Sequence, residues 1–206
     1  MYKSNNSRKN IPGDYMKFIL CFLIGYLFGN FQSSYIFVKR FKNLDVRSIG
    51  SGNAGTMNTL LNVSETLGAL VLFCDMIKTI IPAIICTVLF GEADVASVIS
   101  LSSLGVFIGH CFPFWLKFKG GKGVAVAVAF TLTLDIRIFL IAVIVAGIFG
   151  LLIKSATYGS YTFAIMLFVC SVDFGYGTWV VLSVFIQSLT IALLHIKGRR
   201  KALSGW

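Results

Sequence analysis

The spacing of its apolar runs constrains this chain more than any other feature. From Tyr15 onward, stretches dominated by Leu, Ile, Val, Phe and Ala alternate with short polar connections. About twenty apolar residues in helical form cross the roughly 30 Å of a bilayer's hydrocarbon core, and a helix satisfies its own backbone there. The runs cover 15–38, 65–90, 96–114, 124–134, 138–153, 158–172 and 179–196. They predict an all-α, polytopic integral membrane bundle of about seven transmembrane helices. Residues 57% hydrophobic and only 13% charged exclude an ordinary soluble domain. No internal repeat breaks the chain, so 15–206 reads as one transmembrane domain behind a polar, basic tail of residues 1–14. A cleavable signal peptide is disfavoured because no small-x-small site follows the first run.

Charge sets the expected orientation. With seven spans and the N-terminus outside, the inner connections hold Lys39, Arg40, Lys42 and Arg47, then Lys117, Lys119 and Lys122, then Lys154, then Lys197, Arg199, Arg200 and Lys201. The outer connections hold Arg137 as their one base, with Glu92, Asp94, Asp135 and Asp173. Basic residues prefer cytoplasmic connections, so the C-terminus is expected in the cytoplasm. Lys3, Arg8, Lys9 and Lys17 run against this rule, but six spans would strand the four bases at 39–47 outside. The net charge of +10 is spread between apolar segments. That distribution suits membrane lipid and phosphorylated small molecules, and no nucleic acid is expected.

Five cysteines, Cys21, Cys74, Cys86, Cys111 and Cys170, form no C-x-x-C pair. Neither a disulfide framework nor a metal site is expected, since His110 beside Cys111 lacks further ligands.

Two polar islands interrupt the apolar pattern. The first runs from Asp45 to Asn58 and contains Arg47, Gly50, Ser51, Gly52, Asn53 and Asn58. Turn chemistry alone would select Gly, Ser and Asn. Glycines that let N–H groups converge, with amides and an arginine in so short a span, favour an anion cradle. The second island closes on Gly120-Gly121-Lys122-Gly123 just before the run 124–134. A helix N-terminus there would attract anions. It is not a P-loop, because Leu116 stands where the first glycine should be and Gly123 follows the lysine. Alone, the second island reads as a tight turn; with the first on one membrane face, the two suit a transfer between two phosphorylated substrates.

Other residues keep two readings. Asp75 and Lys78 share a helical face and can neutralise each other, or Lys78 can lean toward a phosphate. His110 can relay a proton or be satisfied by backbone at the interface. His195 suits the C-terminal end of the last helix. The tryptophans Trp115, Trp179 and Trp206 read as packing and interface anchors.

The order Asp45-x-Arg47-x-x-Gly50-Ser51-Gly52-Asn53-x-Gly55-x-x-Asn58, then Asp75-x-x-Lys78, then Gly109-His110-x-x-Pro113-x-x-x-x-Phe118-x-Gly120-Gly121-Lys122-Gly123-Val124-Ala125 resembles the acyl-phosphate-dependent glycerol-3-phosphate acyltransferases of bacterial membranes. The resemblance runs from about Leu27 to about Gly205. It implies a multi-pass plasma-membrane enzyme of phospholipid biosynthesis, its active site facing the cytoplasm, that transfers a fatty acyl group from acyl phosphate to glycerol 3-phosphate. Lysophosphatidic acid and phosphate would be the products, no cofactor is implied, and a phosphate acyltransferase partner would supply the donor. The implied catalytic residues are His110, Asn53 and Lys122. The implied substrate and phosphate ligands are Arg47, Gly50, Ser51, Gly52, Asn53 and Asn58, then Lys78, Gly120, Gly121, Lys122 and His195. Acyl phosphate is already activated, so direct attack by the acceptor hydroxyl, helped by positioning and electrostatics, is the expected mechanism.

The chain departs from the family pattern at three places. Gly29-Asn30-Phe31-Gln32 replaces Gly-Ser-Ile-Pro, with Asn30, Ser33 and Ser34 as nearby substitutes. Residues 154–160 follow Arg-Tyr-x-Ser-x-x-Ser only loosely. In the last motif His195 is kept, Gly198 replaces an asparagine, and Gly205-Trp206 carries no following glutamate. Two alternatives therefore stand beside the enzyme: a degenerate, non-catalytic homologue, and an anion-binding membrane transporter.

Overall fold

The computed structural model describes residues 12–91 and 94–203, with side chains described for 15–91 and 94–198. Residues 1–11 of the tail, Glu92, the side chains of Arg199, Arg200 and Lys201, and Gly205-Trp206 lie outside the described residues.

Among the described residues the chain is all helical, in the order α1 (Pro12–Gly29), α2 (Ser33–Lys42), α3 (Thr56–Asn62), α4 (Glu65–Phe90), α5 (Val95–Cys111), α6 (Val124–Leu134), α7 (Ile136–Leu152), α8 (Ala156–Asp173) and α9 (Thr178–Leu203). Pro12 opens α1 at the position where its missing N–H costs nothing, so the last three residues of the expected tail are helical. Among the described residues four stretches are long and apolar enough to cross a membrane: Tyr15–Lys42, Glu65–Phe90, Val95–Leu116 and Thr178–Gly198. Val124–Leu134 and Ile136–Leu152 are shorter apolar helices.

The expected single helix over 15–38 is instead two, broken at Asn30-Phe31-Gln32. The side chains at the break take over the work of the helical ladder. Asn30 Nδ2 donates to the Tyr26 carbonyl at 2.7 Å, and Gln32 Nε2 lies 3.1 to 3.2 Å from the carbonyls of Gly29, Gly109 and His110. Polar backbone at such depth is tolerated only when buried in protein; Gln32 is buried and meets that condition. The short α3, at the close of the first island, has no counterpart among the apolar runs, because its seven residues carry no membrane-length pattern.

α5 is the central helix. Gly25 and Gly29 of α1 face Gly105 and Gly109 of α5 so closely that a Cβ at any of them would overlap backbone of the other helix. Small residues permit this approach between membrane helices. On another side of α5, Val106 and Phe107 join Phe130, Ile138, Leu167 and Ile191 in one buried cluster that ties α5 to α6, α7, α8 and α9. At the far ends of α6 and α8, Asp135 accepts from Tyr176 Oη at 2.8 Å and from Arg137. Arg137 holds the Asp135 carboxyl down at about 2.

Candidate active site

The first island folds around Asn58. Its Oδ1 accepts from the Ser51 N–H at 3.0 Å and Asn62 Nδ2 at 3.1 Å, while its Nδ2 donates to the Val46 and Ile49 carbonyls, both at 3.0 Å. An amide offers two donors and two acceptor sites, so Asn58 has none left. Expected as a phosphate ligand, Asn58 is here 3% exposed and clamps the loop from inside. Gly50 sits against that clamp at φ +52°, and a Cβ there would fall 2.6 Å from Asn58 Oδ1. Gly50 is thus required by the turn, and Gly52, at φ +67°, spends its N–H on the Ile49 carbonyl. What the loop presents outward is Ser51, exposed, and Asn53, half-buried. Among the described residues neither side chain has a hydrogen-bond partner.

Arg47 is a strut more than a free cation. Its guanidinium pairs with Asp45 at 2.8 Å, lies 4.9 Å from the Tyr35 ring centre and reaches the Leu116 carbonyl at 3.4 Å. The pairing holds the Asp45 carboxyl below the usual carboxylate range. Trp115 completes the platform, edge-on to Tyr35 at 5.6 Å and donating through Nε1 to the Asn30 carbonyl at 2.9 Å. Both islands therefore lie at one end of the bundle and are braced on each other.

The second island is closed from beneath. Gly120 N–H donates to the Cys111 carbonyl and Gly121 N–H to the His110 carbonyl, at 3.1 and 3.0 Å. Those two amides were expected to hold a phosphate; their hydrogen bonds close the loop instead. A Cβ at Gly121 would overlap the His110 ring, and one at Gly123, which has φ +83°, would overlap the Phe107 ring. The chain is thus gripped on both sides of Lys122. Among the described residues the Lys122 ammonium has no carboxylate partner. It is half-buried, and burial pulls its pKa below the ordinary lysine value. The N-terminus of α6 follows at once, with first-turn N–H groups that lack helical acceptors.

Lys78 and His110 occupy a separate, buried lock. Lys78 Nζ lies 2.8 Å from Asp75 Oδ1, 2.8 Å from the Phe31 carbonyl and 2.9 Å from His110 Nδ1. Ser33 Oγ donates to Asp75 Oδ1 at 2.7 Å. Asp75, Lys78 and His110 are 1%, 4% and 3% exposed. Of the two readings of Lys78, the ion pair is the one found, and its ammonium has no free direction toward a phosphate. His110 likewise spends Nδ1 on Lys78 and lies under Gly121. Buried charges survive when paired and hydrogen-bonded, and this lock joins the α1–α2 break, α4 and α5.

The candidate substitutes for the family serine also serve the frame. Asn30 Oδ1 accepts from the Phe114 N–H at 3.1 Å, and Ser34 Oγ is 2.7 Å from Thr59 Oγ1.

α9 returns to the same end. His195 Nδ1 lies 2.9 Å from the Ile191 carbonyl, and a carbonyl can only accept, so that nitrogen carries hydrogen and Nε2 is left for another partner. Tyr161 of α8 packs edge-on to the imidazole at 5.6 Å. The Lys122 ammonium lies on these last turns, close enough for its charge to act at His195. Between α7 and α8, a groove of about 540 Å³ is lined by Ala146, Gly147, Gly150 and Leu151, with Lys154 and Ser155 at its polar end.

Of the expected ligands, Ser51, Asn53, Lys122 and His195 keep a side-chain polar group without a hydrogen-bond partner among the described residues, and the α6 N-terminus lies beside Lys122. Tyr35 and Asn62, which support the first island, carried no signal in the sequence, whereas Gln32 was visible as a polar residue inside an apolar run.

A family model described as glycerol-3-phosphate acyltransferase matches residues 19–205. A glycerol-3-phosphate acyltransferase of Pelagibacter ubique is 36% identical over 152 residues, covering 74% of this chain and 77% of that one. Crystal structures of PlsY, an integral membrane glycerol 3-phosphate acyltransferase, are similar in fold. The glycerol 3-phosphate form matches with a TM-score of 0.76 at 28% identity, covering 94% of this chain and 93% of PlsY. The lysophosphatidic acid form matches with a TM-score of 0.78 at 28% identity, covering 91% and 92%.

Proposed function

This chain belongs to the glycerol-3-phosphate acyltransferase family, and from that premise we propose that it acylates glycerol 3-phosphate with acyl phosphate as the donor. It is an integral membrane acyltransferase whose product is lysophosphatidic acid. The observation that carries the reading is the Lys122 ammonium, without a carboxylate partner among the described residues and set at the α6 N-terminus near His195.

In this mechanism an acceptor hydroxyl attacks the acyl carbonyl, the bond to phosphate breaks, and phosphate leaves with the hydroxyl proton. No covalent enzyme intermediate is needed, since the mixed anhydride is already activated. Lys122 and the α6 N-terminus hold an anionic oxygen cluster, and Asn53 and Ser51 supply neutral donors. His195 offers Nε2 to substrate. The apolar α7–α8 groove suits the acyl chain, with Lys154 near its phosphate end. His110 and Lys78 act through the shape of the Gly120–Gly123 loop. The membrane arrangement that fits the charges is seven spans, N-terminus outside, with both islands and the C-terminus in the cytoplasm. A soluble phosphate acyltransferase there would supply the donor.

Purified protein given acyl phosphate and glycerol 3-phosphate is expected to form lysophosphatidic acid and phosphate in equal amounts. Acyl-CoA and acyl carrier protein should not replace the donor. Lys122→Ala and Asn53→Ala should each lower kcat/KM by about a hundredfold, the scale of losing one oriented stabilising group. Full turnover in both variants would remove these residues from the site.

A further inference from the structure

We infer that Gly198 is a positioning residue: its missing side chain forms the berth in which the Lys122 ammonium lies against the last turns of α9, and so sets how that lysine meets an anionic substrate. The clause about substrate rests on the acyltransferase reading; the berth itself does not.

Gly198 lies inside the 26-residue α9, a place where glycine weakens a helix relative to alanine. No turn explains it, for Gly198 is not among the residues of positive φ. Close helix packing does not explain it either. At Gly25, Gly29, Gly105 and Gly109 an added Cβ would strike backbone of a neighbouring helix. At Gly198 it would meet only the tip of Lys122, 3.2 Å from Nζ and 3.5 Å from Cε. A side chain at 198 would thus press on the lysine ammonium, which would have to give by a few tenths of an ångström.

Lys122 has little freedom to lie elsewhere without cost. Its neighbours Gly121 and Gly123 are gripped by the His110 and Phe107 rings, which fixes where the side chain leaves the backbone. The late turns of a helix carry the negative end of its dipole, so a cation without a carboxylate partner is favoured there. His195 lies one turn earlier, near enough for the Lys122 charge to act on it. The family pattern carries an asparagine at this position. In this chain, an asparagine would compete with Lys122 for one space, so the glycine and the docked lysine form a matched pair.

The test is Gly198→Ala. A purely structural glycine predicts a raised Tm and unchanged kinetics. The berth predicts an equal or raised Tm, a KM for glycerol 3-phosphate at least five times higher, and kcat within twofold. Gly198→Asn should also raise KM and not improve turnover. In a Lys122→Met background, Gly198→Ala should add no further loss of glycerol 3-phosphate binding measured by calorimetry. An unchanged KM in Gly198→Ala, a gain in Gly198→Asn, or an undiminished loss in the Lys122→Met background would each overturn the inference. Amine acetylation of Lys122 against pH adds a readout that needs no turnover. Its midpoint should rise when glycerol 3-phosphate binds and shift in Gly198→Ala, and a midpoint identical in wild type and Gly198→Ala would overturn the berth. Absence of acyl transfer with a midpoint that moves in Gly198→Ala would instead count against the proposed reaction alone.

Discussion

Lys122 and Asn58 show how differently two polar residues of similar promise are used. Asn58 has all four hydrogen-bonding positions filled by its own loop. Lys122 is half-buried with no carboxylate partner among the described residues, so its charge is available to a ligand, and burial lowers its pKa. The sign of the resulting pH dependence follows. The charged amine holds phosphate, so kcat/KM should fall as pH rises through a value below the usual 10.5 of lysine. Lys122→Arg, whose guanidinium stays charged, should move that alkaline limb upward while lowering the plateau. Initial rates from pH 7 to 10 at fixed ionic strength check this, and an identical limb in both proteins would assign it to another group. Lys122 stood out in the sequence only because a second glycine-rich, basic island accompanied its own; alone, its glycine run reads as a turn. Asn58 looked the same from sequence, since only folding reveals which amide turns inward.

At the scale of elements, the site is held by contacts between segments that the chain keeps far apart. The lock of Ser33, Asp75, Lys78 and His110 joins three helices, and Gln32 binds the α1–α2 break to the end of α5. Removing one partner of a buried ion pair leaves the other charge uncompensated, a loss of about 3–5 kcal/mol. Asp75→Asn should therefore destabilise the protein by that order, read as a lowered midpoint of unfolding in detergent. The paired change Asp75→Leu with Lys78→Met should cost less than Asp75→Asn alone. A double variant as unstable as the sum of two singles would show that the pair is not coupled. The Asp75–Lys78 pairing was one of two readings open to sequence, because three residues of helix bring them to one face. His110 and Ser33 as its partners were not legible, since they come from 32 and 42 residues away.

For the molecule as a whole, the islands meet at one end through Arg47 and Leu116, and α9 brings His195 to the same end. With the proposed orientation, Lys119→Cys should react with a membrane-impermeant maleimide only from the cytoplasmic side, and Gly175→Cys only from outside. Cys21, Cys86, Cys111 and Cys170 are buried, so replacing half-buried Cys74 leaves a quiet background. Labelling of both sites from one side would overturn the arrangement. The sequence by itself determined the solvent, the helical class and the two glycine-rich islands, because apolar run length and glycine spacing are local properties written directly in the order of residues. It also carried the family motifs. It did not determine that the first run breaks at Asn30, that His110 and Lys78 lock the frame, or that Lys122 lies in the space left at Gly198. Those were decided by tertiary structure, because whether a buried polar group serves frame or substrate depends on which partners the fold brings within hydrogen-bonding distance.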